Sequence, residues 1–216
     1  MVGIVRKCKK LQGGLIVKEE LLNLAKQRRS IYALGKTVDF DKNELTALIK
    51  EAMKAAPSAF NSQTTRAIIA FGDSHNQVWE IVRKALRDVV KDDNAFAQTS
   101  AKIDTFKAAF ATVLYFTDMD VVHNLEKQFP SYADNFYDWS EQAMGNANFA
   151  VWTALAENGL GANLQHYNPL IDDAIRLAFD VPASWRLRAE MPFGSVEAPA
   201  GEKEFMNDTD RFKVAD

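Results

Sequence analysis

Cysteine is almost absent: Cys8 is the only one in 216 residues. An internal disulfide is therefore excluded, and the chain suits a reducing, cytoplasmic setting. Long apolar runs are absent too. None approaches the ~20 residues that a membrane-spanning helix needs, so no membrane partner is expected. Positive charge is not in excess. Lys and Arg total 26 against 29 Asp and Glu, which argues against a nucleic-acid partner. Neither G-x-G-x-x-G nor G-x-x-x-x-G-K-[ST] occurs, and there is no G-x-S-x-G nucleophile elbow. His75, His123 and His166 are not spaced as metal ligands, and Cys8 adds no partner, so no metal is expected. The pairs Asp92/Asp93 and Asp172/Asp173 stand in polar or helix-start contexts and read as solvated charge.

What is present is a substantial apolar inventory, 47% of the chain, enough to bury a core. Residues 1–17 carry Arg6, Lys7, Lys9 and Lys10 and then Gly13 and Gly14, and are read as a flexible N-terminal arm. Residues 18–216 are read as one domain. Helix-period spacing predicts helices over Val17–Gln27, Asn43–Ala55 (capped by Asp41), His75–Val90 (capped by Ser74), Ala95–Ala108, Asp118–Phe129, Asp134–Asn158 and Pro169–Phe179. Strand-length apolar runs fall at Ala67–Phe71, Ala111–Phe116, Leu160–His166 and Trp185–Phe193. The first of these suits a strand covered on both faces. Asp134–Asn158 is the longest periodic segment and reads as a buried central helix. Its small residues, Ala143, Gly145, Ala147 and Ala150, permit close approach of another helix. Ala198–Asp216 is a polar tail with little core of its own. Helices interspersed with about four strands make a mixed α/β or α+β domain.

Polar side chains gather most densely between Pro57 and Arg66, where Ser58, Asn61, Ser62, Gln63, Thr64 and Thr65 precede the arginine. Pro57 ends the preceding helix, and a loop so rich in donors and acceptors suits either a turn whose side chains satisfy their own backbone, the commoner case, or a polar, planar ligand. Other polar candidates are scattered: Arg28, Arg29 and Ser30 after the first helix, Asn163, Gln165 and His166 after Gly161, and Lys203 and Arg211 in the tail. Each has a structural explanation on its own, such as helix-end charge complementation for the two arginines.

Taken in order, four segments form a recognisable set. Arg28-Arg29-Ser30-Ile31-Tyr32 resembles the R-x-S motif of the FMN-dependent nitroreductase family. Pro57-Ser58-Ala59-Phe60-Asn61-Ser62-Gln63 resembles its P-S-x-x-N-x-Q loop, and Gly159-Leu160-Gly161 its turn after the long helix. Pro192-Phe193-Gly194, with Lys203 and Arg211 beyond it, resembles the closing segment. The chain is most similar to the small fungal and lactic-bacterial branch. It departs from the wider family in reading Thr64-Thr65 after Gln63 where Pro-Trp is common, and in carrying Tyr32 where lysine is frequent.

The resemblance implies an α+β fold, a central mostly antiparallel sheet wrapped by helices, in a domain-swapped homodimer whose tail extends over the other subunit. It implies FMN as cofactor and NADH or NADPH as co-substrate. Hydride would pass through flavin N5 in a ping-pong cycle to a small-molecule acceptor, a nitroaromatic or quinone-like compound. Arg28 and Arg211, with Arg29 and Lys203, are then the phosphate candidates, and Ser30 would bond the phosphate or ribityl chain. Asn61 suits the pyrimidine edge of the flavin, Gln63 is a further cofactor-binding candidate, and Arg66 is a candidate electrostatic stabiliser of the reduced ring. Gln165 and His166 would stand near N5 or O4. Phe60, Phe129, Tyr132 and Phe136 are candidates for stacking over the acceptor. No protein acid, base or nucleophile is required, because the cofactor carries the redox step. A non-catalytic flavin-binding sensor or storage protein is the alternative reading.

Overall fold

Apolar runs and helix-period segments alternate through residues 18–215, the part of the chain that the computed structural model describes. The predicted arm over residues 1–17 lies outside the described residues. In chain order the elements are α1 (Glu20–Gln27), β1 (Leu34–Gly35), α2 (Lys42–Ala55), β2 (Thr65–Phe71), α3 (Gly72–Val89), α4 (Asp93–Lys107) and β3 (Ala111–Asp118). They continue with α5 (Met119–Gln128), α6 (Ala133–Glu157), β4 (Gly161–Ala162), α7 (Asp172–Ala178), β5 (Trp185–Val196) and α8 (Asp208–Arg211). Short 3-10 turns at Ala59–Asn61 and Pro130–Tyr132 flank β2 and α6.

The five strands form one sheet in the order β1-β5-β3-β2, with β4 also paired to β5. Every strand pairing is antiparallel. The fold is therefore α+β, as the resemblance implies. Strand β3 is buried at every position, and its alternation feeds two cores. Ala111, Val113 and Tyr115 pack with Leu45 and Ile49 of α2 and Met144, Val151 and Leu155 of α6. Leu114 and Phe116 pack on the other face with Val78, Trp79 and Val82 of α3, Ile103 and Phe106 of α4 and Ile175 of α7. Burial of each such large side chain stabilises the fold by about 1.5–3 kcal/mol relative to leaving it exposed.

Several expectations change in detail. Strand β2 is a sheet edge and half-buried, so β3, not β2, is the strand covered on both faces. Ser74 caps nothing. Gly72, at φ 54°, turns the chain from β2 directly into α3, which leaves Ser74 inside the first turn. Asp118 is an N-cap, accepting from the Asp120 N–H, and Asp41 makes a full capping box with Glu44. The expected strand at Leu160–His166 shrinks to Gly161–Ala162, after which Gln165 makes a separate bridge to Glu190. The two-residue strand β1 has no periodicity to announce it. Helix α6, at 25 residues, matches the predicted central helix. It buries Phe136, Ala143, Ala147 and Val151 but leaves Gly145 and Phe149 exposed. Beyond β5, residues 201–215 are exposed throughout, and Phe205, Met206, Phe212 and Val214 are among the exposed large apolar side chains. No helix among the described residues is long and apolar enough to cross a membrane.

Candidate functional site

The C-terminal end of α1 gives way to an extended backbone at Arg28, and the chain then runs beside β4. The Ile31 N–H donates to the Ala162 carbonyl at 2.9 Å, and Ser30 forms a parallel bridge with Ala162. This lays Arg28, Arg29 and Ser30 along one wall of a cleft of about 590 Å³. The opposite wall is the start of the tail, including Gly201, Glu202 and Lys203. Arg29 closes the gap, its Nη2 donating to the Gly201 carbonyl at 2.7 Å. Arg28 lies over the Trp152 ring of α6, 4.5 Å from its centroid. Its Nε is buried and has no hydrogen-bond partner among the described residues. Burial, and secondarily the Arg29 charge, lower the Arg28 pKa from its ordinary value.

A second cleft, of about 320 Å³, opens between α2, α6 and β2. Its apolar floor includes Ile49, Met53, Ala143 and Ala147, and its polar side is built from Ser58, Gln63, Thr65 and Arg66. The loop that shapes it is strained. Phe60 (φ 57°), Asn61 (φ 49°) and Gln63 (φ 48°) all adopt left-handed backbone. Such conformations in non-glycine residues persist only where surroundings enforce them. Here the tethers are visible. Ser58 Oγ accepts from the Gln63 N–H at 3.0 Å, and Asn146 Nδ2 of α6 donates to the Pro57 carbonyl at 3.1 Å. Arg66 Nη1 donates to the Gln63 carbonyl. The charge of Arg66 is already paired, Nη2 to Asp118 Oδ2 at 3.0 Å.

The same loop presents Phe60 to an aromatic group. The Phe60 ring lies 5.0 Å from Phe129, 6.0 Å from Tyr132, 5.5 Å from Phe136 and 5.9 Å from Trp139, the last nearly parallel. Phe60 and Tyr132 are each about half exposed, at 52% and 49%.

The sequence-predicted residues are thus brought together in two sets. Arg28, Arg29, Ser30 and Lys203 line the first cleft; Gln63 and Arg66 line the second, with Asn61 on its turn. No residue lines both. Gln165 and His166 stand on the segment after β4, where the Gln165 backbone pairs with Glu190 in both directions, at 2.8 and 3.0 Å. Arg211 lies in α8 of the exposed tail, its guanidinium over the ring of its own neighbour Phe212 at 5.3 Å. Within the chain, among the described residues, these candidates do not share one cleft.

Three residues escape sequence reasoning. Trp152 and Trp139 look like ordinary helix core. Glu190 is fully buried on β5, with Oε1 lacking a partner among the described residues. Burial pushes its pKa up to about 8. A lone carboxylate in the run of residues 189–194, which is otherwise without polar side chains, was the available signal.

The chain is 52% identical to nitroreductase CinD of Lactococcus lactis, solved in complex with chloramphenicol, with a TM-score of 0.84 over 91% of this chain and all of that one. The same protein has been solved with nicotinic acid and with 4-nitrophenol. HBN1 of Saccharomyces cerevisiae is 37% identical over 188 residues, 86% of this chain and 93% of that one. An Exiguobacterium sibiricum protein solved in complex with FMN shares the fold at a TM-score of 0.69 and 15% identity, covering 91% of this chain and 97% of that one. The nitroreductase family model matches residues 25–195, from the end of α1 nearly to the end of β5, and the chain belongs to the nitroreductase family.

Proposed function

We propose that this protein is an FMN-dependent NAD(P)H oxidoreductase that reduces nitroaromatic and quinone-like acceptors in alternating half-reactions. The observation that carries the reading is the first cleft. Arginine and lysine side chains line it beside the Ser30 hydroxyl, and one buried guanidinium donor, Arg28 Nε, is without a partner among the described residues. That donor set fits a dianionic phosphate monoester. The relatives add support: the Exiguobacterium protein is an FMN complex, and CinD has been solved with a nitrophenol and with a pyridine carboxylate.

Arg28, Arg29, Ser30 and Lys203 would hold the phosphate, with Arg211 joining them from the tail. Gln165 and His166 would border the reactive edge of the ring. Asn61 and Gln63 would meet its pyrimidine edge from a second copy of the chain. A homodimer reconciles the two clefts. It would also cover apolar side chains exposed in the protomer, Leu21 and Leu22 of α1 and Phe205, Met206 and Phe212 of the tail. When bound, FMN supplies the hydride chemistry at N5, so no protein acid or base is needed. Arg66, with its charge paired to Asp118, holds the Gln63 backbone in place. The Phe60 group supplies a flat, electron-rich wall against which an electron-poor ring can stack.

The test is direct. Freshly purified protein should be yellow, should bleach on anaerobic mixing with NADH or NADPH, and should recover on addition of a nitroaromatic or quinone. Colourless protein that takes up no added FMN would defeat the reading. Yellow protein that neither nucleotide bleaches would point instead to a flavin store or sensor. Sedimentation should give twice the protomer mass.

A further inference from the structure

Asn163 is fully buried and joins two segments. Its Nδ2 donates to the Ile31 carbonyl at 2.8 Å, and its Oδ1 accepts from Gln165 Nε2 at 2.7 Å. Ile31 directly follows Arg28–Ser30. Gln165 is itself fixed from below by β5. It exchanges two backbone hydrogen bonds with Glu190, whose carboxyl Oε2 also accepts from the Tyr167 N–H at 3.0 Å. A hydrogen-bonded path therefore runs from the buried middle of β5, through Gln165 and Asn163, to the residue beside Ser30. The Asn163 amide commits its donor to one segment and its acceptor to the other. Neither segment can move without stranding a polar group away from water.

We propose that Asn163 is a positioning residue that sets the separation between the Arg28–Ser30 segment and the Gln165–His166 segment, without touching the cofactor itself. The proposal rests on the reading that these two segments hold opposite ends of FMN. Asparagine suits this role because it is short, uncharged and both donor and acceptor. Leucine has neither group, and an ionised aspartate has no donor for the Ile31 carbonyl. A protonated aspartate, however, restores one donor and one acceptor in the same places.

That difference supplies the experiment. Asn163→Asp and the wild type are compared at pH 8 and pH 5.5 by two readouts. One is amide hydrogen exchange of the peptide spanning residues 28–33. The other is FMN affinity, by fluorescence quenching after cofactor removal. At pH 8 the variant should exchange faster in that peptide and bind FMN about tenfold more weakly, the scale of one buried hydrogen bond. At pH 5.5 both should return toward wild type. The wild-type profile controls for His166 and Glu190, the titratable neighbours on the same path. A folded variant with wild-type exchange and wild-type affinity at both pH values would overturn the proposal. Should circular dichroism show that Asn163→Asp does not fold at pH 8, Gln165→Leu in the cofactor-free protein removes the donor into Asn163 and keeps the backbone pairing with Glu190, so that loss of the Gln165 side chain from the cofactor site does not enter the readout. Unchanged exchange at residues 28–33 in that variant overturns it equally. If the wild-type chain takes up no FMN, the cofactor reading fails, while the exchange comparison still decides whether Asn163 fixes the segment.

Discussion

Arg66 and Asp118 meet diagonally across the β2–β3 pair, Nη2 to Oδ2 at 3.0 Å, because Arg66 stands opposite Phe116 and Asp118 is two residues further along the same face. The pair is mostly sheltered from solvent, and each partner makes a second contact. Arg66 holds the Gln63 carbonyl, and Asp118 caps α5. Arg66→Gln should therefore destabilise the fold by ~1–3 kcal/mol, because it strands a largely buried carboxylate. Asp118→Asn keeps an acceptor for the Asp120 N–H and should cost less. The double variant should recover part of the loss. Urea denaturation of the four proteins checks the cycle, and purely additive losses would show that the two side chains are not coupled.

The aromatic group around Phe60 predicts a kinetic split. Phe60→Leu keeps bulk but removes the ring that meets Phe129, Tyr132, Phe136 and Trp139. Aromatic pairing beyond simple burial is worth ~0.5–1.5 kcal/mol, so KM for a nitroaromatic acceptor should rise roughly 2–10-fold. The KM for the nicotinamide donor should change less. Steady-state kinetics with 4-nitrophenol-type and quinone acceptors measures both. Equal effects on donor and acceptor would remove the group from acceptor selection.

How these sites were legible in the sequence differs from case to case. The long helices and β3 announce themselves, because an apolar period sustained over many residues leaves few other ways to bury it. The motif residues Arg28, Ser30, Asn61 and Gln63 are legible as a set, but not the cleft each belongs to, because that depends on pairings between segments far apart in the chain. Ser74 misleads: a serine before a helix is the usual cap, yet the turn is made by Gly72 two residues earlier. Strand β1 is too short to carry a period, and its existence depends on Val196 and Ser195 lying opposite. The burial of Glu190 is likewise a property of the register, which sets it opposite Leu114.

Glu190 makes a pH prediction with a definite sign. The folded chain keeps its proton up to about pH 8, whereas an unfolded carboxyl releases it near 4.5. Burial is the main cause; the nearby Asp172 carboxylate adds to it, and the Tyr167 N–H opposes it. Asp172 is itself raised by burial and by Asp173, against Arg186 and Arg188. Between pH 4.5 and 8 the folded state therefore binds one more proton than the unfolded state. Its contribution is full at low pH and is lost as pH rises, by at most ~1.4 kcal/mol per pH unit, levelling above the folded value. Glu190→Gln keeps the shape and the acceptor for Tyr167 but does not ionise. Its stability relative to wild type should grow steadily from pH 5 to pH 8 and then level off. Denaturant midpoints across that range measure it. A constant difference would mean that Glu190 is already ionised in the folded chain.

Gly194 and Gly35 face each other's strands, and a methyl group separates their roles. At Gly194 a Cβ would run into the Gly35 carbonyl oxygen and lie 2.9 Å from the Phe110 nitrogen. Both are backbone atoms and cannot swing away. At Gly35 the obstacles are the Glu197 carboxylate and Ser195 Oγ, which are side-chain ends able to rotate. Gly194→Ala should therefore cost about 3 kcal/mol, at the upper end of ordinary overpacking, and Gly35→Ala about 1 kcal/mol or less. The consequence reaches the cleft, because β1 and the end of β5 lead directly into the walls that Arg29 and Gly201 close. Forcing β1 off β5 widens that gap, so Gly194→Ala should weaken FMN retention as well as lower the denaturation midpoint. Gly35→Ala should leave retention near wild type. Equal behaviour of the two alanine variants would show that the strand contact does not shape the cleft.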